Sequence, residues 1–310
     1  MNVSDVADPP GEERPRGRVP QSERMAEMVR ELGETGRLRV GELARRFGVS
    51  EATLRRDLTA LEEQRLLTRT HGGALAQGVA CELPVRYREG RSRDAKRAIA
   101  RQAVRGLPAG PHVIALTGGT TTGELAKELP DRADLTVVTN ALNAAMEIVL
   151  RPRVKLVVVG GVSRPRSYEL VGPWAEQVLA SIDIGTAFIG VDGIDAAGGI
   201  TTHDENEART NRAMLSRAQR VVVIADGSKL GKRTLARIGD IAEVDELITD
   251  SSADVGSVAA IRAVGVRVTV VDVLAQVLVG LKGTFPACDA GKAPFTARDE
   301  GKVPFSPTRA

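Results

Sequence analysis

Residues 50–73 read SEATLRRDLTALEEQRLLTRTHGG. Their spacing predicts a helix with one reading face, followed by a small β-wing. Ser50 is a good N-cap, because its side-chain oxygen accepts from the free backbone N–H groups of a first helical turn. Leu54, Leu58 and Leu61 recur at i, i+4 and i+7 and so share one helix face. At about 100° per residue, Ala52, Arg55, Arg56, Thr59 and Glu63 fall on the opposite face. That face carries two arginines, a small residue and a hydroxyl near the helix N-terminus. A helix entering a DNA major groove needs such types there: arginine for guanine edges or phosphate, small and hydroxyl side chains for close approach. Gly72 and Gly73 then supply a tight turn beside Arg69 and His71.

Upstream, helix signals start at Ser22, with Met25, Met28, Val29 and Leu32 as an apolar stripe and Gly33 and Gly36 as its end. Leu38 and Val40 suit a short strand. A second helix, GELARRFG, turns Leu43, Ala44 and Phe47 inward and closes at Gly48, with Arg45 and Arg46 in reach of a phosphate backbone. Helix, helix, turn, helix and wing make the winged helix-turn-helix plan. Net charge does not carry this reading. Residues 22–80 hold ten Arg against nine Asp plus Glu, so the signal lies in how charge is arranged.

At 310 residues the chain is expected to form one or two domains. Aromatic residues are only 3%, which argues against base stacking on aromatic platforms. No apolar run reaches the roughly 18–20 residues of a membrane span. The N-terminus lacks the apolar region of a signal peptide. Cys81 and Cys288 are far apart and there are only three histidines, which argues against a zinc site or a disulfide framework. The expectation is a cytoplasmic protein without metal or cofactor.

From His112 the rhythm changes. HVIALTG, LTVVTN, KLVVVGG, TAFIGVDG, RVVVIADG, ELITD and RVTVVD alternate with helical stretches. The runs are nearly all apolar, as in strands buried on both faces. The expected fold class is α/β: an N-terminal winged helix-turn-helix domain, then a doubly wound, mostly parallel α/β domain. The expected divisions are a disordered tail at 1–21, the DNA-binding domain at 22–76, a linker at 77–95, the α/β domain at 96–282 and a disordered tail at 283–310. The last tail holds a near-repeat, GKAPFT at 291–296 and GKVPFS at 301–306.

Ligands of open α/β sheets bind beyond the carboxyl ends of the strands, and the polar motifs lie there. Thr117-Gly118-Gly119-Thr120-Thr121-Thr122-Gly123 joins a strand to a helix. Its glycines admit a ligand to the backbone, its hydroxyls donate, and the helix N-terminus favours an anion. A purely structural turn is the plainer alternative. Asn140 ends the next strand and suits ligand contact or a helix N-cap. Asp192 and Asp195, three apart beside glycine, suit sugar hydroxyls, acid–base chemistry or simply a solvated turn. Lys229 in Asp226-Gly227-Ser228-Lys229 offers a positive charge to a phosphate. Thr201, Thr202, His203, Asp204 and Glu207 lie in a loop that opens a helix, where capping explains part of the composition. Gly160-Gly161 with Ser163, Arg164 and Arg166 suits an anion or a mobile loop.

With these motifs in view, residues 22–275 resemble the DeoR family of bacterial transcriptional regulators. The resemblance rests on Ser50-Glu51-Ala52-Thr53-Leu54-Arg55-Arg56-Asp57-Leu58, Leu61 and Arg69-Thr70-His71-Gly72-Gly73-Ala74. Further along it rests on Gly119–Thr122, Val138–Asn140, Gly160-Gly161, Val171–Pro173, Phe188–Asp195, Glu207-Ala208 and Asp226–Lys229. It implies a two-part repressor: a winged helix on double-stranded operator DNA and a sensor domain, similar to phosphosugar isomerases, for a phosphorylated sugar effector. By that similarity Gly118, Gly119, Thr120, Thr121 and Thr122 hold the phosphate, while Asn140, Asp192, Asp195, Glu207 and Lys229 line the sugar site. Three positions depart from the family pattern: Thr117-Gly118 where an acidic residue is common, Arg65 where a glycine ends the helix, and Gly227 where a histidine is common.

The resulting expectation is a ligand-responsive repressor, not an enzyme, acting as a homo-oligomer with paired winged helices and no membrane partner. Ser50, Glu51, Ala52, Thr53, Arg55 and Arg56 would meet DNA, with Arg45, Arg46, Arg69 and His71 beside them. Asp57 suits a salt bridge to Arg56 or another arginine. The rival readings are a sugar-phosphate isomerase or deaminase with an accessory DNA-binding domain, and a non-specific DNA-coating protein.

Overall fold

A computed structural model describes residues 19–64, 66–76, 84–88 and 92–273. Arg65, both cysteines, the C-terminal tail and all of the N-terminal tail before Val19 lie outside the described residues.

The N-terminal part is built on α1 (Gln21–Thr35), β1 (Arg37–Arg39), α2 (Val40–Phe47), α3 (Glu51–Glu63), β2 (Leu67–Thr70) and β3 (Gly73–Ala76). The apolar stripes expected from sequence make one core, in which Met28, Leu32, Leu43, Leu54, Leu58 and Leu61 are fully buried. α1 begins at Gln21, a residue expected to belong to the tail, and runs through Gly33 to a left-handed cap at Gly36. An interior glycine costs only about 1 kcal/mol, which the buried Leu32 beside it offsets. Val40 opens α2 instead of extending β1. The strands form an antiparallel sheet in the order β1-β3-β2. Gly73 is required there, because a Cβ would overlap the Leu38 carbonyl of β1.

A short helical turn, α4 (Val85–Arg88), leads to α5 (Arg93–Arg105), which starts three residues before the expected domain boundary at Lys96. The α/β part continues with β4 (His112–Leu116), α6 (Thr120–Glu128), β5 (Leu135–Thr139), α7 (Leu142–Ile148), β6 (Lys155–Val158), β7 (Val162–Arg164) and β8 (Glu169–Val171). Next come α8 (Pro173–Ala180), β9 (Ile184–Ile189), β10 (Gly193–Asp195), β11 (Gly199–Thr202), α9 (Glu205–Ser216) and β12 (Ala218–Ile224). β13 (Ala236–Gly239), β14 (Glu246–Asp250), α10 (Val255–Ala263) and β15 (Arg267–Val271) complete it.

Each of the seven apolar runs contributes one strand to a single sheet, ordered β15-β14-β12-β9-β4-β5-β6. All of its pairings are parallel. Strand side chains alternate between two cores. Ala115, Ala187, Ile189, Val221 and Val223 pack with α8, α9 and α10. Ile114, Leu116, Phe188, Val222 and Ile224 pack with α5, α6 and α7. This two-sided burial is why the runs are apolar throughout. β4, first in the chain, lies between β5 and β9, so the winding reverses between β4 and β9. A crevice opens at such a switch point, beyond the carboxyl ends of the strands.

Two small antiparallel pieces border the crevice: the β7–β8 hairpin and a β10-β11-β13 sheet. The run TAFIGVDG is therefore two strands, since β9 stops at Ile189 and β10 starts at Gly193. No helix among the described residues is long and apolar enough to cross a membrane.

Candidate functional site

α3 is capped as its sequence requires. The Ser50 hydroxyl accepts from the Thr53 amide at 3.2 Å and lies 3.0 Å from the Thr53 hydroxyl. Leu54, Leu58 and Leu61 face the core, leaving Ala52, Arg55, Arg56 and Glu63 exposed. Arg55 pairs with Glu51 one turn back at 2.6 Å. Arg56 is exposed and makes no ion pair among the described residues. From the wing, Arg69 donates through Nη1 to the Thr59 hydroxyl at 2.8 Å, tying β2 to α3. His71 is exposed at the β2–β3 turn.

Asp57 belongs to the scaffold. It is 1% exposed, and its carboxylate receives Arg24 Nη2 at 2.7 Å, Arg24 Nε at 3.0 Å and Gln21 Nε2 at 2.9 Å. Asp57 thus pairs with Arg24 of α1 and leaves Arg56 outside. A buried carboxylate persists in this way only when paired and hydrogen-bonded.

At the other end of the chain, the crevice collects charged groups from separate elements. Asp192, after β9, is buried. Its Oδ1 receives both Arg88 Nη1 at 2.9 Å and Lys229 Nζ at 3.0 Å. Thr202 donates to Oδ2 at 3.2 Å, and His203 Nε2 stands 4.0 Å from the same oxygen. Burial alone would raise the Asp192 pKa, but Lys229 and Arg88, then His203, outweigh it and hold the group well below the usual carboxylate range. The Thr202 hydroxyl also lies 2.8 Å from Glu207 Oε2. The other Glu207 oxygen receives Arg164 Nη1 at 2.8 Å, and Arg164 Nε pairs with Asp204 at 3.0 Å. Asp204 caps α9 by accepting from the Asn206 and Glu207 amides.

Glu169 on β8 completes the cluster. It accepts from the Gly118 amide at 2.5 Å, and a Cβ on Gly118 would overlap its carboxyl group. Burial first, then the Glu207 charge, raise its pKa well above the ordinary value, against the Gly118 and Asn211 hydrogen bonds that lower it. The carboxyl group is thus held toward its neutral form. Asn140 donates to Asn211 at 3.2 Å, and its own Oδ1 is buried without a partner among the described residues. Thr117 places its hydroxyl 2.8 Å from the Gly190 amide as acceptor, linking β4 to β9 at the switch point.

These two regions correspond to two known domains. Residues 24–77 match the DeoR-like helix-turn-helix domain, and residues 91–251 match the DeoR C terminal sensor domain. The chain belongs to the DeoR family of transcriptional regulators. Its DeoR relatives include the HTH-type transcriptional regulator GlpR of Haloferax volcanii, 36% identical over 82% of this chain and 99% of that protein. The glycerol-3-phosphate regulon repressor of Escherichia coli K12 is 30% identical over 74% of this chain and 91% of its own. Among solved structures, ribose 5-phosphate isomerase A of Methanocaldococcus jannaschii overlaps 46% of this chain and 55% of its own at 19% identity and a TM-score of 0.34.

Within this DeoR sensor domain, the structure gathers Gly118, Asn140, Asp192, Glu207 and Lys229 at the strand ends. Thr120, Thr121 and Thr122 open α6 after Gly119, and no side chain caps that helix. Thr122 turns its hydroxyl back to the Gly119 carbonyl at 3.0 Å. Asn140 is not an N-cap: Ala141 holds that position for α7. Asp195 stands apart from Asp192. It accepts from the Ala197 and Gly198 amides and pairs with Arg233, because the β10 strand carries it away from the crevice. In the winged helix, Arg45 and Arg46 are both exposed, and Arg46 pairs with Glu31 of α1 at 2.7 Å and lies over the Phe47 ring.

Sequence reading missed Glu169, Asn211 and Arg88. A lone carboxylate in the apolar run of β8 was the available signal for Glu169. Nothing local marks Arg88, since its partner is 104 positions away.

Proposed function

We propose that this DeoR regulator represses genes of sugar metabolism, binding operator DNA through α3 and the wing with an affinity set by a phosphorylated sugar in the crevice. One observation carries the DNA half. α3 exposes Ala52, Arg55 and Arg56 beside a capped N-terminus while its opposite face is wholly buried. Ser50, Thr53 and Glu51 lie at the same helix start, and Arg45, Arg69 and His71 flank it. Arg46 is exposed as well, and its surface pair with Glu31 of α1 leaves it able to exchange that partner for a phosphate.

The ligand half is supported by the composition of the crevice. Cations Lys229 and Arg88 suit a phosphate, and the amides that start α6 favour an anion. Glu207, Asp192 and the unpartnered Asn140 oxygen suit sugar hydroxyls. Asp195 falls outside this site. The relative named for a glycerol-3-phosphate regulon is a precedent for a small phosphorylated polyol. Operator affinity measured with and without a panel of sugar phosphates tests the reading. A shift with no turnover is expected, and identical affinity throughout would overturn it.

The protein would act in the cytoplasm as a homo-oligomer, its paired winged helices reading repeated half-sites. Light scattering of the pure chain tests the assembly, and a monomer on and off DNA would overturn it. A second reading, a sugar-phosphate isomerase, draws on the buried Glu169 carboxyl, its pKa raised, near Asp192, whose pKa is lowered. Such a pair suits acid–base work. Turnover of pentose or hexose phosphates that disappears in Asp192→Asn would favour it.

A further inference from the structure

The turn α4 touches both domains within four residues. The Val85 amide donates to the Arg166 carbonyl of the β7–β8 hairpin at 2.8 Å. The Tyr87 ring packs against the winged-helix core, and its hydroxyl donates to Gln64, just after α3, at 2.9 Å. The next residue, Arg88, turns the other way and reaches Asp192. Lys96 of α5, itself buried, donates to the Arg88 carbonyl at 2.8 Å and holds that point of the backbone.

We propose that Arg88 is a ligand-contacting residue of the sensor site, delivered by the connector, and that its transfer from Asp192 to a bound sugar phosphate is the event that moves the winged helix. This rests on the reading above that the crevice takes a sugar phosphate. Two features carry it. Asp192 Oδ1 holds two cations, Arg88 and Lys229, where one neutralises its charge. An arriving phosphate dianion therefore competes with Asp192 for a guanidinium whose planar fork matches phosphate oxygens. Second, adjacent Cα atoms are only about 3.8 Å apart, so any shift of the backbone at Arg88 against its Lys96 contact carries Tyr87 with it. A ligand shifts a conformational equilibrium only through contacts that differ between its states. Arg88 supplies such a contact, and Tyr87 carries it to the end of α3.

The test uses the full chain and DNA that the wild-type protein selects from a random pool. Wild type, Arg88→Gln and Arg88→Lys are titrated calorimetrically with a pentose 5-phosphate, a hexose 6-phosphate and glycerol 3-phosphate. DNA affinity is measured with and without each. In Arg88→Gln, sugar-phosphate affinity is expected to fall on the order of tenfold or more, as for loss of a charged hydrogen bond. The ratio of DNA affinities with and without sugar phosphate is expected to approach one. Arg88→Lys should be intermediate, which a purely structural role would not predict. Wild-type affinity together with a wild-type ratio in Arg88→Gln would overturn the proposal.

If wild type binds none of the three, the sugar-phosphate reading fails, and a ligand-free arm judges the connector. Amide exchange over residues 85–88 should then quicken by about tenfold in both Arg88→Gln and Asp192→Asn, with α3 unchanged. Unchanged exchange at 85–88 would overturn the tether itself.

Discussion

The exposed face of α3 and the crevice at the strand ends use the same residue types under opposite conditions. On α3, Arg55 and Glu51 form a pair in water, one turn apart, with side chains 57% and 51% exposed. Such a pair is worth about 0.3–0.5 kcal/mol and leaves the arginine free to exchange its partner for a phosphate or a base. In the crevice, Asp192 is 8% exposed and its two cations come from distant parts of the chain, Arg88 on α4 and Lys229 after β12. There burial strengthens the interaction, and with two cations on one carboxylate either can leave while the other still neutralises it. The difference teaches where each region keeps its freedom. The reading face is available because nothing buries it, whereas the crevice can respond only by exchanging partners.

The Arg24–Asp57 pair is the place to break this contrast, since it puts a crevice-like ion pair under the reading helix. Asp57→Ala should destabilise the winged helix by about 3–5 kcal/mol in urea unfolding, with Arg24→Met restoring much of the loss. A loss below about 1 kcal/mol would mean that the pair behaves as a surface one. Arg56→Ala should next reduce DNA affinity by about 1–3 kcal/mol if it reads a base, relaxing specificity at one position. Uniform weakening across sequences with a shallower salt slope would assign it to phosphate instead.

Glu169 sharpens the contrast through pH. Its folded pKa lies well above its ordinary value of 4.5, so the folded state holds a proton that the unfolded state releases. Its contribution to stability is complete below about 4.5 and is lost as pH rises toward the raised folded value, by up to about 1.4 kcal/mol per pH unit. Glu169→Gln keeps the neutral shape and should remove that slope. Identical slopes in the two proteins would show an ionised Glu169. Ser50→Ala should cost about 1 kcal/mol in thermal unfolding, as for loss of an N-cap. Smallest of all, Asp195→Ala should leave sugar-phosphate affinity unchanged by calorimetry, and a tenfold loss would return Asp195 to the site.

Much of the fold was legible because its signals are local. Three leucines at helical spacing, Ser50 and the glycine pair suffice for α3 and the wing. Seven apolar runs suffice for a parallel sheet, since only strands covered on both faces are apolar throughout. The motif positions at strand ends followed from the same alternation. The β10-β11-β13 sheet was harder to see, because its strands are three or four residues long and carry the polar residues that mark loops.

The site divides in the same way. Sequence alone determined which residues stand at the strand ends and which helix face is free, because periodicity and punctuation are properties of neighbours along the chain. It could not separate Asp192 from Asp195, which are equivalent in spacing and composition. Only the tertiary structure decided that Asp192 meets Arg88 and Lys229 while Asp195 closes a turn with Arg233. It also decided that Asp57 belongs to Arg24, Arg46 to Glu31, and Glu169 to Gly118. Charge pairing depends on distance in space and on exclusion of water. Both are set by packing between elements far apart in the chain.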